Sequence, residues 1–295
     1  MKCKICESEA IQLSTSKVLN KYDVNYFQCQ NCRFVQTEYP YWLEEAYSSP
    51  IANSDTGLVM RNIVFSKLVN KVIFSIFNKD AEFLDYGCGY GLFVRIMRSI
   101  GLNFYGYDRF CENIFAKEFE VNEEVGNYEL ITAFEVFEHF IEPCSDIKNL
   151  LKFSKNILFS TELLPAHNPK PREWYYYAPN EGQHISIYTV DSLSIIAKKF
   201  NLNYYTNGRS IHLFTEKKLH PQLSSVLDFN RYEPVNMVKE MITLLSSNIV
   251  FDRHFIYNDN ERSKTYTQNK TLKILIDGVF FQLYSTGIAR VWRSL

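Results

Sequence analysis

The chain has 295 residues, 46% of them hydrophobic and 16% aromatic, which is enough for one sizeable packed domain with smaller appendages. Its 32 basic and 33 acidic side chains leave a formal charge of -1, which argues against a general polyanion binder, so we expect no nucleic-acid partner. No apolar run approaches the ~20 residues of a membrane helix, and the amino terminus lacks the apolar core of a signal peptide. We therefore expect a cytoplasmic protein without an integral membrane segment.

Four of the seven cysteines form two C-x-x-C pairs close to the amino terminus. The pairs are Cys3 with Cys6 and Cys29 with Cys32. Four thiolates can close a tetrahedral zinc site that has no open position for water, so we expect a structural Zn²⁺ in a small zinc ribbon over residues 1–38. A redox role for either pair alone is the alternative interpretation.

An aromatic turn region over residues 39–50 precedes a helix predicted over 55–77, where apolar residues recur at helical spacing. We expect the aromatic residues to pack in the core or in a linker, because aromatic side chains are usually buried. A lid over a bound ligand is the alternative.

Residues 81–91 predict a buried strand that runs into a turn with three glycines, and a helix follows from Leu92. Glycines in such a turn let the backbone bend sharply and approach a ligand closely. The dinucleotide fingerprint G-x-G-x-x-G would require a glycine where Leu92 stands, which weakens a nicotinamide interpretation. A second predicted strand over 101–108 ends in Asp108, whose carboxylate can accept hydrogen bonds from ribose hydroxyls.

In these two motifs the chain resembles the class I S-adenosylmethionine-dependent methyltransferases. The resemblance implies S-adenosyl-L-methionine as the cofactor, with the glycines close to its methionine moiety and Asp108 on its ribose. The cofactor-binding residues that it implies are Asp85, Gly87, Gly89, Gly91, Asp108, Phe134 and Glu135. The alternative is that these are ordinary turn glycines in another doubly wound fold.

Alternating strands and helices continue the chain and predict an α/β fold. We expect helices over 110–118, 144–153 and 189–199, strands over 119–121, 128–134 and 156–161, and an antiparallel pair over 202–206 and 211–215. Thr189 is the predicted cap of the helix that follows it. The prediction is a Rossmann-like methyltransferase domain over 39–218, with a mostly parallel sheet and an antiparallel hairpin at its carboxyl end. Ligands bind at the carboxyl ends of such strands, so Asp85, Asp108, Glu135 and residues 161–162 should share one rim.

Two histidines are candidate catalytic residues. His139 ends an E-x-x-E-H segment that is common in a methyltransferase subgroup acting on small molecules; we expect it to hold the next helix start, with acid or base catalysis as the alternative. His184 lies in an aromatic segment after the fifth strand, and an imidazole with a pKa of about 6.5 suits a general base near neutrality. A purely structural role in the loop is its alternative. Residues 175–177, three tyrosines, are candidates for stacking on a sugar ring or on adenine.

The segment from Gly182 to Ser186 is similar to a bacterial methyltransferase subgroup found among polysaccharide and surface-glycan genes. It is also similar to nucleotide-sugar C-methyltransferases, which carry a four-cysteine zinc module and an E-H pair. Gln183 replaces that glutamate here, so O-methyl transfer is favoured over C-methyl transfer. The resemblance implies a small-molecule acceptor such as a sugar or nucleotide-sugar, or a surface glycan. The alternative is a non-catalytic methyltransferase-like scaffold in a glycan-assembly complex.

The remaining chain is expected to be a polar linker over 219–270, with an amphipathic pattern over 235–249 that could form a helix. Residues 271–295 resemble the first strand, glycine loop and helix of bacterial glycosyltransferases built from two Rossmann-like domains. The resemblance implies an incomplete start of such a domain, and so a fusion or association with a glycosyltransferase. A packing arm is the alternative.

Overall fold

The computed structural model describes residues 1–48, 55–121, 126–220 and 225–227, which form two sheets. The strands are β1 (Ala10–Val18), β2 (Tyr22–Cys29), β3 (Val35–Thr37), β4 (Glu82–Tyr86), β5 (Asn103–Tyr107), β6 (Leu130–Phe134), β7 (Ile157–Ser160), β8 (Ser186–Ile187), β9 (Asn203–Thr206) and β10 (Ile211–Thr215). The helices are α1 (Leu43–Ala46), α2 (Leu58–Ile76), α3 (Leu92–Ser99), α4 (Pro143–Leu150) and α5 (Val190–Lys199). Short 3-10 turns are found at Lys117–Phe119, Phe137–His139, Tyr175–Tyr177 and Ser225–Leu227.

The larger sheet has six strands in the order β5-β4-β6-β7-β10-β9. Its first four strands are mutually parallel, while β10 runs antiparallel to β7 and to β9. All four residues of β7 are buried, as expected for a central strand covered on both faces. The predicted Rossmann-like sheet, mostly parallel with an antiparallel hairpin, is confirmed. Its topology brings the carboxyl ends of β4, β5, β6 and β7 to one edge.

Helix α2 confirms the helix expected over 55–77, and it lies against this sheet. Its apolar stripe is buried at Leu68, Val69, Val72 and Ile73, in one cluster with strand residues of β4 and β5. Val226 and Leu227 are buried in the same cluster, so part of the segment expected to be a linker contributes to the core.

Helix α5 begins where the sequence predicts. Thr189 Oγ1 accepts a hydrogen bond from the Ser192 backbone N–H, and Ser192 Oγ accepts one from the Thr189 N–H, which together form a capping box. The predicted hairpin of β9 and β10 is also present. Its turn is organised by Asn207, whose Oδ1 accepts hydrogen bonds from three consecutive backbone amides, at residues 209 to 211.

The helix expected over 110–118 is wrong. Asp108 Oδ1 accepts hydrogen bonds from the backbone amides of Phe110 and Cys111, and the Asn113 side chain bonds both the N–H and the carbonyl of Ala116. These side chains compete with the helical backbone for its hydrogen bonds, as Asp and Asn commonly do. The segment therefore holds only the short turn at Lys117–Phe119, and the strand expected over 119–121 is reduced to a single bridge between Gly106 and Glu120.

The smaller sheet has the order β1-β2-β3-β8 and is antiparallel throughout. Its first three strands belong to the amino-terminal module, but β8 comes from the segment that follows His184. Val35 pairs with Ile187 and Gln36 with Ser186. The sheet of the amino-terminal module is thus completed by β8, a strand that lies about 150 residues later in the chain.

Residues 271–295, which we expected to begin a glycosyltransferase-like domain, and the helix suggested over 235–249 lie outside the described residues, as does most of the linker expected over 219–270. Among the residues that the structure describes, no helix is both long and apolar enough to cross a membrane.

Candidate functional site

The turn between β4 and α3, residues 87–91, is the glycine loop of the site. Its three glycines have φ angles of 75°, 54° and 79° at Gly87, Gly89 and Gly91, all in the left-handed region that other residues rarely adopt. A Cβ on Gly87 would lie 2.7 Å from Val136 Cγ2, and one on Gly91 would collide with the Asn113 side chain. Both the backbone conformation and the available space therefore require glycine. The residues present fit a cradle for a closely approaching ligand.

Asp108 is held against this loop. Its Oδ2 accepts a hydrogen bond of 2.8 Å from the Gly89 N–H, while its Oδ1 accepts two from the amides of Phe110 and Cys111, also at 2.8 Å. The contact joins the carboxyl ends of β4 and β5. Because an ionised carboxylate has about four lone-pair sites, it can still accept a further bond from a ligand hydroxyl.

Asp85 lies at the end of β4 and is buried. Its Oδ1 accepts a hydrogen bond of 2.6 Å from Thr132 Oγ1 on β6. Burial raises the pKa of Asp85 to about 7, because removal from water disfavours the charged form. Asp85 thus joins two strand ends beneath the glycine loop.

Phe134 and Glu135 end the neighbouring strand β6. The Phe134 ring stacks on Phe65 of α2 with a centroid distance of 4.2 Å. Glu135 has a φ of 56°, and its Oε1 accepts a hydrogen bond of 2.6 Å from Ser160 Oγ on β7. Left-handed backbone at a residue other than glycine is strained and often marks a functional site.

The two candidate histidines lie together, with ring centroids 5.1 Å apart in an edge-to-face arrangement. His184 Nδ1 is 2.6 Å from the Tyr176 carbonyl oxygen. Since a carbonyl can only accept, Nδ1 carries the proton and Nε2 keeps a free lone pair. His139 Nδ1 is 3.0 Å from the Tyr47 hydroxyl. Burial lowers the pKa of His139 to about 3 and lowers that of His184 as well, so both rings are neutral near pH 7.

Tyr47 is a site residue that the sequence analysis did not identify. Its ring stacks on Phe110, two residues beyond Asp108, at a centroid distance of 5.2 Å and an angle of 19°. Burial raises the pKa of the Tyr47 hydroxyl, and the charges of Glu138 and Asp108 raise it further. Tyr47 therefore connects the Asp108 side of the site with the histidine pair. No local pattern in the sequence separates Tyr47 from the other tyrosines of the aromatic turn region.

The residues of the aromatic turn region have different roles. Trp42 is buried and donates a hydrogen bond of 2.8 Å from Nε1 to the Gly182 carbonyl, which agrees with the expected core packing. Tyr47 instead lies between Phe110 and His139.

The three consecutive tyrosines at 175–177 are not equivalent. Tyr176 and Tyr177 are buried, and their hydroxyls bond Thr161 Oγ1 and the Pro169 carbonyl. Tyr175 is 65% exposed. Tyr175 is thus the exposed ring of the three, while the Tyr176 carbonyl group orients His184.

The four cysteines of the amino-terminal pairs converge, with all four sulfur atoms within 4.8 Å of one another. Sulfur–sulfur distances are 3.3 Å for Cys6 and Cys29, 3.6 Å for Cys6 and Cys32, and 3.7 Å for Cys3 and Cys32. A tetrahedral zinc site with Zn–S bonds of about 2.3 Å has sulfur atoms about 3.8 Å apart. Backbone amides also point at Cys3 Sγ and Cys29 Sγ, at 3.4 Å, which favours the thiolate form. These residues fit a zinc ion.

A second group of metal-binding side chain types comprises Glu138, His139 and His184, whose ligand atoms also lie within 4.8 Å of one another. However, the Nδ1 atoms of both histidines are already engaged, one with Tyr47 and one with the Tyr176 carbonyl. Because metal-binding histidines often engage one ring nitrogen in this way, Nε2 is the atom that each could still offer to an ion.

Comparison with known proteins supplies independent information. A family model described as "Methyltransferase domain" matches residues 60–207, which is half of the chain. The match contains the glycine loop, Asp108 and both histidines. It does not reach Tyr47 or the four cysteines. A search of curated proteins found no match.

Several solved structures are similar to the chain. They include magnesium protoporphyrin IX methyltransferase from Synechocystis PCC 6803 with bound S-adenosylmethionine, at 14% identity, covering 59% of this chain and 89% of that one, with a TM-score of 0.39. An O-methyltransferase family protein from Burkholderia thailandensis has 10% identity, coverage of 61% and 64%, and a TM-score of 0.45. The plantazolicin methyltransferase in complex with S-adenosylhomocysteine has 14% identity, coverage of 71% and 89%, and a TM-score of 0.44.

Proposed function

We propose that this chain, which belongs to the methyltransferase domain family, is an S-adenosylmethionine-dependent enzyme that methylates a sugar, nucleotide-sugar or surface-glycan acceptor. The observation that carries the proposal is the position of Tyr47 between two parts of one site. On one side are the glycine loop and Asp108, and on the other is a half-buried pair of neutral histidines. The first part suits a nucleoside-containing cofactor and the second suits proton removal from an acceptor.

The cofactor would be held by the glycine loop and by Asp108. When bound, S-adenosylmethionine supplies an electrophilic methyl group on a sulfonium centre. The loop offers backbone approach without Cβ atoms at Gly87 and Gly91, and Asp108 offers a carboxylate to the ribose hydroxyls. Phe134 and Glu135 lie at the neighbouring strand end, where the resemblance expects contact with the cofactor.

His184 is the proposed general base. Its Nδ1–H is fixed on the Tyr176 carbonyl, so Nε2 is the atom that accepts the proton of an acceptor hydroxyl as the oxygen–methyl bond forms. Burial lowers the pKa of His184, while the charges of Glu135 and Glu181 oppose that shift and favour the protonated ring that follows. Holding the acceptor and the methyl donor in line supplies much of the rate in such a transfer. His139 assists by packing edge-on against His184.

An O-methyl product is favoured over a C-methyl product, because the position next to His184 holds the amide of Gln183 where the similar C-methyltransferases have a glutamate. The exposed ring of Tyr175 offers a surface on which a sugar can stack. The proposal further includes a structural zinc ion on the four cysteines, a cytoplasmic location, and fusion or association with a glycosyltransferase.

Two measurements test the proposal. Calorimetric titration of the full chain with S-adenosylmethionine should give one saturable site, which Asp108→Ala weakens by at least tenfold. Mass spectrometry of candidate nucleotide-sugars and glycans, incubated with enzyme and cofactor, should then detect an added methyl group. His184→Ala should retain cofactor binding and lose methyl transfer.

A folded wild-type protein without saturable cofactor binding would contradict the proposed activity. It would favour the scaffold alternative. Full turnover by His184→Ala would remove the general base alone and leave the activity in place.

A further inference from the structure

Gln183 departs from the glutamate of the similar C-methyltransferases, and its side chain has a defined partner. It is buried and donates a hydrogen bond of 2.8 Å from Nε2 to the Ala46 backbone carbonyl. The preceding residue, Gly182, is an acceptor instead: its carbonyl accepts a hydrogen bond of 2.8 Å from Trp42 Nε1. Residues 42–47, the aromatic segment, are thereby fastened to residues 182–184, the histidine loop.

The aromatic segment and the histidine loop each carry a residue of the candidate site. The residue after Ala46 is Tyr47, whose hydroxyl lies 3.0 Å from His139 Nδ1, and the residue after Gln183 is His184. The bond from Gln183 to Ala46 therefore joins the backbone next to Tyr47 to the backbone next to His184.

We propose that Gln183 is a positioning residue that holds Tyr47 on His139, and that this position requires a side chain that donates a hydrogen bond. The role of Tyr47 and His139 in methyl transfer rests on the proposed function. The physical reason is the nature of the partner. The Ala46 carbonyl only accepts, so it pairs with an amide N–H, whereas an ionised carboxylate would oppose one acceptor with another in a buried place.

Replacing Gln183 with glutamate converts this fixed contact into one that depends on pH. A protonated glutamate can donate to the Ala46 carbonyl, and an ionised one cannot. Burial and acidic neighbours raise the pKa of such a carboxyl group. The titratable groups around the position are Glu181 and His184 on its own segment, Glu138 and His139 on the turn beside it, and Tyr47 on the aromatic segment.

The test uses the imidazole nitrogen resonances of the full chain labelled with ¹⁵N-histidine, which contains six histidines. Tyr47→Phe serves as the reference, because it gives the chemical shift of His139 Nδ1 when the Tyr47 hydroxyl is absent. Gln183→Met, close to glutamine in size but without a donor, should move the His139 Nδ1 resonance toward that value. His212, held between the Thr206 hydroxyl and the Thr161 carbonyl, reports whether the sheet is intact.

Gln183→Glu controls for folding, because one protein sample contains a side chain that can donate to Ala46 at low pH and one that cannot at high pH. Its His139 resonances should match the wild type at low pH and approach those of Gln183→Met as the pH rises. Unchanged His139 resonances in Gln183→Met, with His212 as in the wild type, would overturn the proposal. The same holds if Gln183→Glu follows the wild type at every pH.

These resonances require neither cofactor nor acceptor. Calorimetry with S-adenosylmethionine on the same samples therefore separates the two proposals. Loss of cofactor binding in the wild type counts against the proposed function, and an unmoved His139 counts against the role of Gln183.

Discussion

Gly87→Ala should weaken both the fold and cofactor binding, and the structure gives the size of each part. A non-glycine residue at a φ of 75° costs about 1–2 kcal/mol. The new Cβ would also lie 2.7 Å from Val136 Cγ2, and overpacking of this kind costs about 1–3 kcal/mol. We expect a loss of about 2–5 kcal/mol in the free energy of unfolding, measured by denaturant titration. If the loop shifts to relieve the contact, affinity for S-adenosylmethionine should fall at least tenfold in calorimetry.

Two further variants separate the causes. Gly101→Ala has a comparable φ of 88° but no atom within 4 Å of the new Cβ, so it should lose only about 1–2 kcal/mol and bind cofactor normally. Val136→Ala in the Gly87→Ala background removes the opposing methyl groups. A double-mutant cycle should then show a coupling of about 1–3 kcal/mol. If Gly87→Ala binds cofactor like the wild type, or if the two changes are additive, the steric explanation of the glycine loop is wrong.

Three other predictions follow from the charges and the metal ligands. Burial lowers the pKa of His184 below 6.5, so its ring stays neutral in mild acid and kcat/KM should fall only below pH 6.5. A fall in kcat/KM that begins at or above that pH would contradict His184 as the general base. Asp85 titrates at about 7 in the folded state against 3.8 ordinarily, so its contribution to stability is present at low pH and lost as the pH rises through 7. Asp85→Asn, which can still accept from Thr132, should therefore gain stability relative to the wild type at pH 8 but not at pH 4 in urea titrations. Removal of zinc by a chelator should release one equivalent of metal and lower the free energy of unfolding by at least about 3 kcal/mol, or the Tm by about 6–12 °C. Amide hydrogen exchange should then accelerate more in β3 and β8 than in α2. Unchanged exchange in β3 and β8 would refute a connection between the metal site and these strands.

The parts of the fold that the sequence predicts are those governed by local chemistry. A strand, a glycine turn and a helix follow one another over residues 82–99 because each is encoded by its own periodicity and backbone requirement. The Thr189 cap is of the same kind, since Thr189 and Ser192 satisfy each other within one turn. The failed helix over 110–118 has a local cause too, but one that apolar spacing hides: Asp108 and Asn113 bind the backbone amides that a helix would use.

The parts that the sequence does not predict depend on contacts between distant residues. Gln183 meets Ala46 across 137 positions, and Trp42 meets Gly182 across 140. Tyr47 has no local pattern that distinguishes it from Tyr39 or Tyr41, which are exposed. Only the packing of the aromatic segment on the histidine loop selects it, and that packing requires the tertiary structure.

The amino-terminal module forms part of the frame around the histidine loop. Strand β3 leaves the second cysteine pair and pairs with β8, which begins two residues after His184. Thr189, the cap of α5, also donates a hydrogen bond of 2.6 Å to the Cys32 carbonyl. The histidine loop is thus bounded by a strand and a helix cap that both contact the cysteine module, and on its other side by the aromatic segment. The cysteine site is thus joined to both ends of the segment after His184 by hydrogen bonds, so we expect the loss of a metal from the four cysteines to alter the geometry of the proposed base.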